Sequence, residues 1–408
     1  MSERRMAGKA EAYLKTLCGV KPNRRTGSPG NREAAEFFAR TIRQWGYRLD
    51  TTPFPCMDHR SGEVSCACGG RSFEVEISPY SPGCDVTAEL VAVSTVEELE
   101  KCVCRGKILL MKGTLCAEQL MPKNFVFYNP DHHKRIYALL EKNRPGAIIA
   151  ATGKNPDLVG ALDPYPLIED GDFDIPSAYC REAVGAKIAR LAGKTFRLTI
   201  DARRIPATAW NVVARKMPDA KEKIVVCAHI DAKEDTPGAS DDAAGTVVLL
   251  LLAEMLEGYD GPTGIEIVAL NGEDNYSAGG QMDYLRRYGK EIDGIAVAIN
   301  VDDVGYVKGK SAYSLYECRD FIKRKADRAF GAHKGIMKGE QWYQGDHMIF
   351  VQRGRPAIAF TAEKMRELMA KITHTPADTP EIVDCRKLVE VAEAIADFIA
   401  EYGNGRKP

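Results

Sequence analysis

No apolar run in this sequence approaches the roughly 20 residues that a membrane-crossing helix requires. The longest, Val247–Ala253 within TVVLLLLAEML, reads as a buried helix of a soluble protein. No charge predominates either: 56 lysines and arginines face 57 acids, so overall electrostatics calls for no nucleic acid, no membrane and no polyanionic partner. The 12 cysteines lack the spacing of a small disulfide-stapled domain, which suits a reducing compartment. Cys66 with Cys68 and Cys102 with Cys104 are spaced more tightly than usual zinc ligands and read as structural thiols. The opening MSERRMAGKAEAYLKTLCGV is charged and lacks the apolar core and cleavage site of a secretory signal. A cytoplasmic protein is therefore expected. There is no internal repeat, and the GNGRKP tail reads as frayed.

At 408 residues the chain is long for one core, and two domains are expected. NREAAEFFARTIRQWG carries apolar residues at helical spacing and ends at Gly46, a helix stop. From about Met57 to Pro206 short β-like runs alternate with Gly and Pro, as in GKILLMKGT, GAIIAATGK and FRLTIDARR. Beyond them NVVARKMP, KIVVCAHID, the TVVLLLLAEML helix, IEIVALN, IAVAINVDD, PAIAFTA and a final helix around LVEVAEAIADFIAEY alternate strand with helix. That alternation predicts a doubly wound, mostly parallel α/β sheet covered on both faces. Residues 1–56 and 207–408 are expected to form this discontinuous domain, and 57–206 a β-rich insertion.

Three of the apolar runs end in metal-ligating residues. KIVVCAH ends at His229 and is followed by Asp231 and Asp241, IEIVAL runs into Glu273 and Asp274, and IAVAINV runs into Asp302 and Asp303. His374 follows PAIAFTA after a short segment. In open α/β sheets ligands bind beyond the carboxyl ends of the strands, so these groups can converge although far apart in sequence. Two divalent cations need ligands for each and a shared anion. Asp241 is the chosen bridge, with His229 and Asp302 completing one ion and Asp274 and His374 the other. Mixed imidazole and carboxylate donors favour zinc, with cobalt or manganese as substitutes. Asp231 is placed to accept the second N–H of His229. Glu273, beside a ligand, is placed to take a proton from water. Taken singly, His229 is an ordinary hydrogen-bonded strand-end histidine and Glu273–Asp274 a solvated acidic pair; Asp303 reads as a capping or solvated residue. Their ordered appearance at successive strand ends favours the joint reading.

Residues 207 to the end resemble the co-catalytic zinc exopeptidases, which include aminopeptidases, glutamate carboxypeptidase and glutaminyl cyclase. The resemblance rests on His229 with Asp231, GASDDAAG, Glu273 with Asp274, NVDDVG and HTPADTP, in that order. It implies a phosphorylase/hydrolase-like sheet, two zinc ions, and a peptide substrate hydrolysed at its N-terminus by a metal-bridging hydroxide with Glu273 as general base. It further implies supporting roles for Asp346 and His347 in QWYQGDHMIF, and a protease-associated lid in the insertion. Asp274 stands where glutamate is common, and Thr373 precedes His374 where some relatives carry a tyrosine that stabilises the oxyanion; Tyr343 is a candidate for that role. Aminopeptidase action is the expectation. The alternatives are a carboxypeptidase acting on acidic dipeptides, a glutaminyl cyclase, which the apparent lid disfavours, and a non-catalytic receptor-like relative, which the complete ligand set disfavours. A homo-oligomer is compatible with the sequence, but nothing in it supports one.

Overall fold

A computed structural model describes residues 3–125, 129–154, 161–275 and 279–403; the GNGRKP tail beyond Gly403 lies outside them. The chain divides into two compact units, one made of Met1–Cys56, Thr208–Leu368 and Ile372–Pro408, the other of Met57–Ala207 with Met369–Lys371. The chain passes between them along two long strands, Pro53–Cys68 and Thr195–Trp210.

The first unit is built on an eight-stranded sheet. In spatial order its strands are Arg48–Asp50, Val212–Lys216, Gly264–Leu270, Lys223–His229, Ile295–Val301, Ala357–Ala362, Ser311–Tyr316 and Ile336–Lys338. The middle four are mutually parallel. They read as unbroken apolar runs because both their faces are covered. The parallel order stops on either side: Val212–Lys216 runs antiparallel to Gly264–Leu270, and Ser311–Tyr316 antiparallel to Ala357–Ala362. Val212–Lys216 follows the long strand Thr195–Trp210 after Asn211 alone, so it enters the sheet with Val212 opposite Ala269, at the carboxyl end of its neighbour.

Register fixes where those carboxyl ends lie. His229 sits opposite Leu270, Cys227 opposite Asn300, and Val301 opposite Phe360, so the residues that follow emerge together at one edge. One face of the sheet carries helices Glu3–Cys18, Pro29–Arg43, Ala244–Met255, Asp320–Gly331 and Cys385–Gly403, whose apolar residues join Ile265, Ile267 and Ala269 in the main core. Side chains alternate along a strand, so Glu266 faces the other side, where it accepts from Tyr284 of helix Gly279–Tyr288. Ala244–Met255 is apolar all round because it is buried all round; Glu3–Cys18 and Cys385–Gly403 both pack against it. Pro29–Arg43 begins where Ser28 accepts the Asn31 N–H, and the chain turns away at Gly46, whose φ is +72°.

The second unit holds another eight-stranded sheet. It also has a parallel run of four, Cys84–Val93, Ile108–Met111, Ala147–Thr152 and Ser177–Arg181. The sequence reading as a unit of short strands needs correction, because helices Val96–Lys101, Asp131–Asn143 and Glu182–Ala189 belong to it. Asp131–Asn143 buries His133, Ile136, Tyr137 and Leu140, a helical stripe. Among the described residues no helix is long and apolar enough to cross a membrane.

Candidate metal centre

The strand ends of the first unit bring the donor atoms together. His229 is the last residue of its strand and is buried. Its Nε2 lies 3.0 Å from Asp241 Oδ1 and 3.8 Å from Asp302 Oδ1. The other oxygen of Asp241 lies 3.0 Å from His374 Nε2, which is 2.9 Å from Asp274 Oδ1. Asp241 thus faces one histidine with each oxygen, as a bridging carboxylate does. Zinc bonds of about 2.0 Å in a tetrahedron imply edges of roughly 3.3 Å between donors, and the four separations bracket that length.

Local backbone makes this presentation possible. Asp241 lies in the turn Ala239–Ala243 with non-helical dihedrals (φ −115°, ψ 90°), just before helix Ala244–Met255. The turn is entered at Gly238, where φ is +59° and a Cβ would stand 2.6 Å from the Asp241 carbonyl oxygen. Only glycine meets both conditions without strain. Arg24 holds the approach from below, donating to the carbonyls of Ile230, Pro237 and Gly238.

The electrostatics calls for positive charge. Burial, reinforced by neighbouring acids, pushes the Asp302 and Asp242 carboxyls well above the usual range, Glu273 and Asp303 up to about 8, and Asp378 up to about 7. Burial alone would push His229 and His374 down, but the surrounding aspartates outweigh it and raise both. Asp241, which burial would raise, is instead held low by the two histidines. Asp242 Oδ2, Asp274 Oδ2 and His229 Nδ1 are buried without a hydrogen-bond partner. A crowd of buried carboxylates with unused oxygens and two imidazoles is the donor set of divalent cations. The residues fit such ions.

Several assignments change in detail. Asp231 Oδ1 faces His229 Nδ1 at 3.6 Å, and against the effect of burial the pairing raises His229 and lowers Asp231. The Asp231 carboxylate also accepts the Gly272 N–H (2.8 Å), the Glu273 N–H (3.3 Å) and an Asn275 Nδ2 hydrogen (2.7 Å). Asp231 therefore ties the loop that carries Glu273 and Asp274 to the end of the His229 strand. Asp303 is neither solvated nor a cap, since it is buried and accepts the Ser240 hydroxyl at 2.8 Å.

Asp346 is buried, accepts from Gln281, and is raised to about 6, chiefly by burial. His347 packs between Tyr316 and Trp342, its Nε2 lies 3.0 Å from the Trp342 carbonyl, and burial pushes it down to about 4, so it is a neutral packing residue. Tyr343 is 61% exposed and its hydroxyl donates to Gln341 Oε1; this geometry gives it no part in the donor cluster.

Two acids passed over in the sequence prove central. Asp242 offers an oxygen within 4.8 Å of donors on His229 and Asp302. Asp378 accepts the N–H groups of Ser240 and Asp241. Both stand inside motifs already noted, GASDDAAG and HTPADTP.

Among the described residues one further donor group, Glu118 with His132 and His133, occurs in the second unit. There the Met121 N–H donates to His133 Nδ1, which leaves the proton of the neutral ring on Nε2, facing Glu118 at 3.1 Å. Glu118 also lies 2.6 Å from His132 Nε2.

Known proteins resemble this chain in sequence and in fold. Leucine aminopeptidase 2 of Arthroderma otae is 25% identical over 250 residues, covering 58% of this chain and 46% of the relative. The chain spans about half the length of the curated relatives it matches. Among solved structures, an aminopeptidase from Aneurinibacillus sp. strain AM-1 shares the fold at a TM-score of 0.74 and 23% identity, covering 96% of this chain and 93% of that one. A zinc aminopeptidase from Bacillus subtilis does so at 0.72 and 19%, covering 97% and 94%. Residues 211–399, which hold His229, Asp241, Glu273, Asp274, Asp302 and His374, match Peptidase family M28.

Proposed function

We propose that this protein is a zinc-dependent aminopeptidase that removes the N-terminal residue of peptides. The observation that carries the reading is Asp241, which presents one oxygen to His229 and the other to His374 at 3.0 Å each. His229 and Asp302 would hold one ion, Asp274 and His374 a second, and Asp241 both. When bound, the ions supply Lewis-acid polarisation of the scissile carbonyl and lower the pKa of the attacking water. Glu273 is half-buried next to Asp274, and burial and nearby acids hold its carboxyl at about 8. Positive charge on the neighbouring donors pulls that value back towards neutrality, so Glu273 can take a proton from water and pass it to the departing amine. Asp231 keeps Glu273 at this station through the backbone bonds described above. The relatives' names, leucine aminopeptidase and zinc aminopeptidase, support the reaction class and the metal.

The test is a substrate panel on zinc-loaded protein. Free-amine aminoacyl substrates should be cleaved, N-blocked peptides spared, and N-terminal glutamine peptides cleaved without cyclisation. Preference for N-blocked acidic dipeptides makes the enzyme a carboxypeptidase, cyclisation makes it a glutaminyl cyclase, and inertness towards the whole panel favours a receptor-like relative. We also assign Met57–Ala207 the role of an inserted, protease-associated-like lid that restricts the site to short peptides or chain ends. Its support is its separate compactness and its two-strand attachment. Turnover that falls steeply with peptide length is expected; indifference to length overturns this role. A cytoplasmic location is supported by the 12 cysteines, whose spacing lacks the pattern of a disulfide-stapled domain, and subcellular fractionation checks it.

A further inference from the structure

The turn that carries Asp241 has no regular secondary structure to hold it, yet it must aim one carboxylate at two histidines. One side chain holds its backbone N–H groups at the bridging residue. Asp378 is fully buried; its Oδ1 accepts the Ser240 N–H at 2.7 Å and its Oδ2 the Asp241 N–H at 3.1 Å. The backbone joins in, because the Ala239 N–H donates to the Asp378 carbonyl at 3.2 Å, and the Asp378 N–H donates to the Thr375 carbonyl at 3.1 Å. Asp378 lies four residues beyond His374 in HTPADTP. A single residue therefore fastens the Asp241 turn to the His374 loop at three successive N–H groups.

We infer that Asp378 is a positioning residue for the metal centre, a clamp that sets the Asp241 carboxylate midway between His229 and His374. The inference rests on the two-ion reading above. Both of its oxygens are needed: an amide at the same place offers one acceptor and turns its NH2 group towards the other backbone N–H, so one of the two bonds becomes a repulsion. The turn then rotates, and a carboxylate shared between two ions cannot follow both. Ser240 adds a second tether through its hydroxyl bond to Asp303, so the variant turn should loosen rather than collapse.

The experiment compares full-length wild type, Asp378→Asn and Asp378→Glu. Zinc stoichiometry and affinity are read by competition with a chromophoric chelator, beside the melting temperature of each metal-free protein. Outer partners of metal ligands typically control affinity by about 10- to 100-fold. Asp378→Asn should lose zinc affinity in that range, with a metal-free melting temperature close to wild type. Asp378→Glu, which keeps both acceptors, should recover part of the loss. Unchanged affinity in Asp378→Asn overturns the clamp. Equal losses in both variants, matched by equal falls in metal-free melting temperature, overturn it too, because that pattern marks a residue that only holds the fold. Wild type that binds a single zinc sinks the two-ion reading instead, and the clamp is then judged on the affinity for that one ion. Wild type that binds no zinc sinks both.

Discussion

The two sheets of this protein are alike in outline and opposite in chemistry. Each has eight strands and a run of four parallel ones. In the second sheet, polar groups at two of the carboxyl ends are hydrogen-bonded. The Ser94 carbonyl accepts the Thr114 hydroxyl at 2.9 Å, the Ser94 N–H reaches a Glu98 carboxylate oxygen, and the Thr152 hydroxyl donates to the Tyr165 carbonyl at 2.6 Å. In the first sheet the corresponding positions carry His229, Glu273, Asp274 and Asp302, whose carboxyls are crowded and in part unpaired. A parallel run provides a rim of strand ends; the residue choice at that rim decides whether it becomes a site. The first unit accepts repulsion there that the second avoids.

Replacing Asp241 by alanine should break the contrast most completely. In the proposed two-ion site both ions would lose a ligand, and with several kcal/mol of carbonyl polarisation gone, turnover should fall by about a thousandfold or more. Metal analysis and single-turnover rates check this, and a variant that keeps two zinc ions and normal turnover refutes the bridge. Chelation of the wild type should give the same loss, and zinc should restore it.

Next in size is Glu273→Gln, expected to lower turnover by about a hundredfold or more while zinc content stays near wild type. Severe metal loss instead would show that Glu273 and Asp274 have exchanged roles. The third prediction turns to the other sheet, where Leu110→Ala removes a fully buried side chain. It should cost about 2–5 kcal/mol in denaturant unfolding and leave zinc affinity untouched; lost zinc would mean that the two sheets are not chemically separate.

The smallest effect is expected at the cluster of Glu118, His132 and His133. His132→Ala should leave the zinc count unchanged and turnover within about twofold, as for most partly exposed positions outside a site. A zinc ion lost with His132 would give the second unit a metal site and end the comparison.

The strands of the first unit were legible because buried parallel strands leave unbroken apolar runs, and the acids closing them mark the rim. Helix Asp131–Asn143 was hidden by its mixed surface: DHHKRIYALLEKN buries a stripe but is charged over most of its length. Asp242 and Asp378 were passed over for another reason. Helix and strand periods say which side chains turn inward, and neither period runs through the Ala239–Ala243 turn or the loop after His374. Spacing suggested that Asp231 faces His229, and it does at 3.6 Å, but spacing does not show that the same carboxylate also ties down the loop of Glu273. Tyr343 was named from residue type alone, and its exposure is set by a loop that no pattern in the sequence describes.

The packing of Glu3–Cys18 against Cys385–Gly403 bears on when the donor set can assemble. A contact between helices so distant in sequence can form only after nearly all of the intervening chain has left the ribosome. The sheet-forming residues 208–301 emerge well before it, and the Met57–Ala207 unit emerges earlier still as a continuous stretch able to fold ahead of its neighbour. His374 is made only 11 residues before the last helix begins at Cys385. Synthesis order therefore separates the two histidines by 145 residues, so the donor set stays incomplete until the loop that carries His374 has been made.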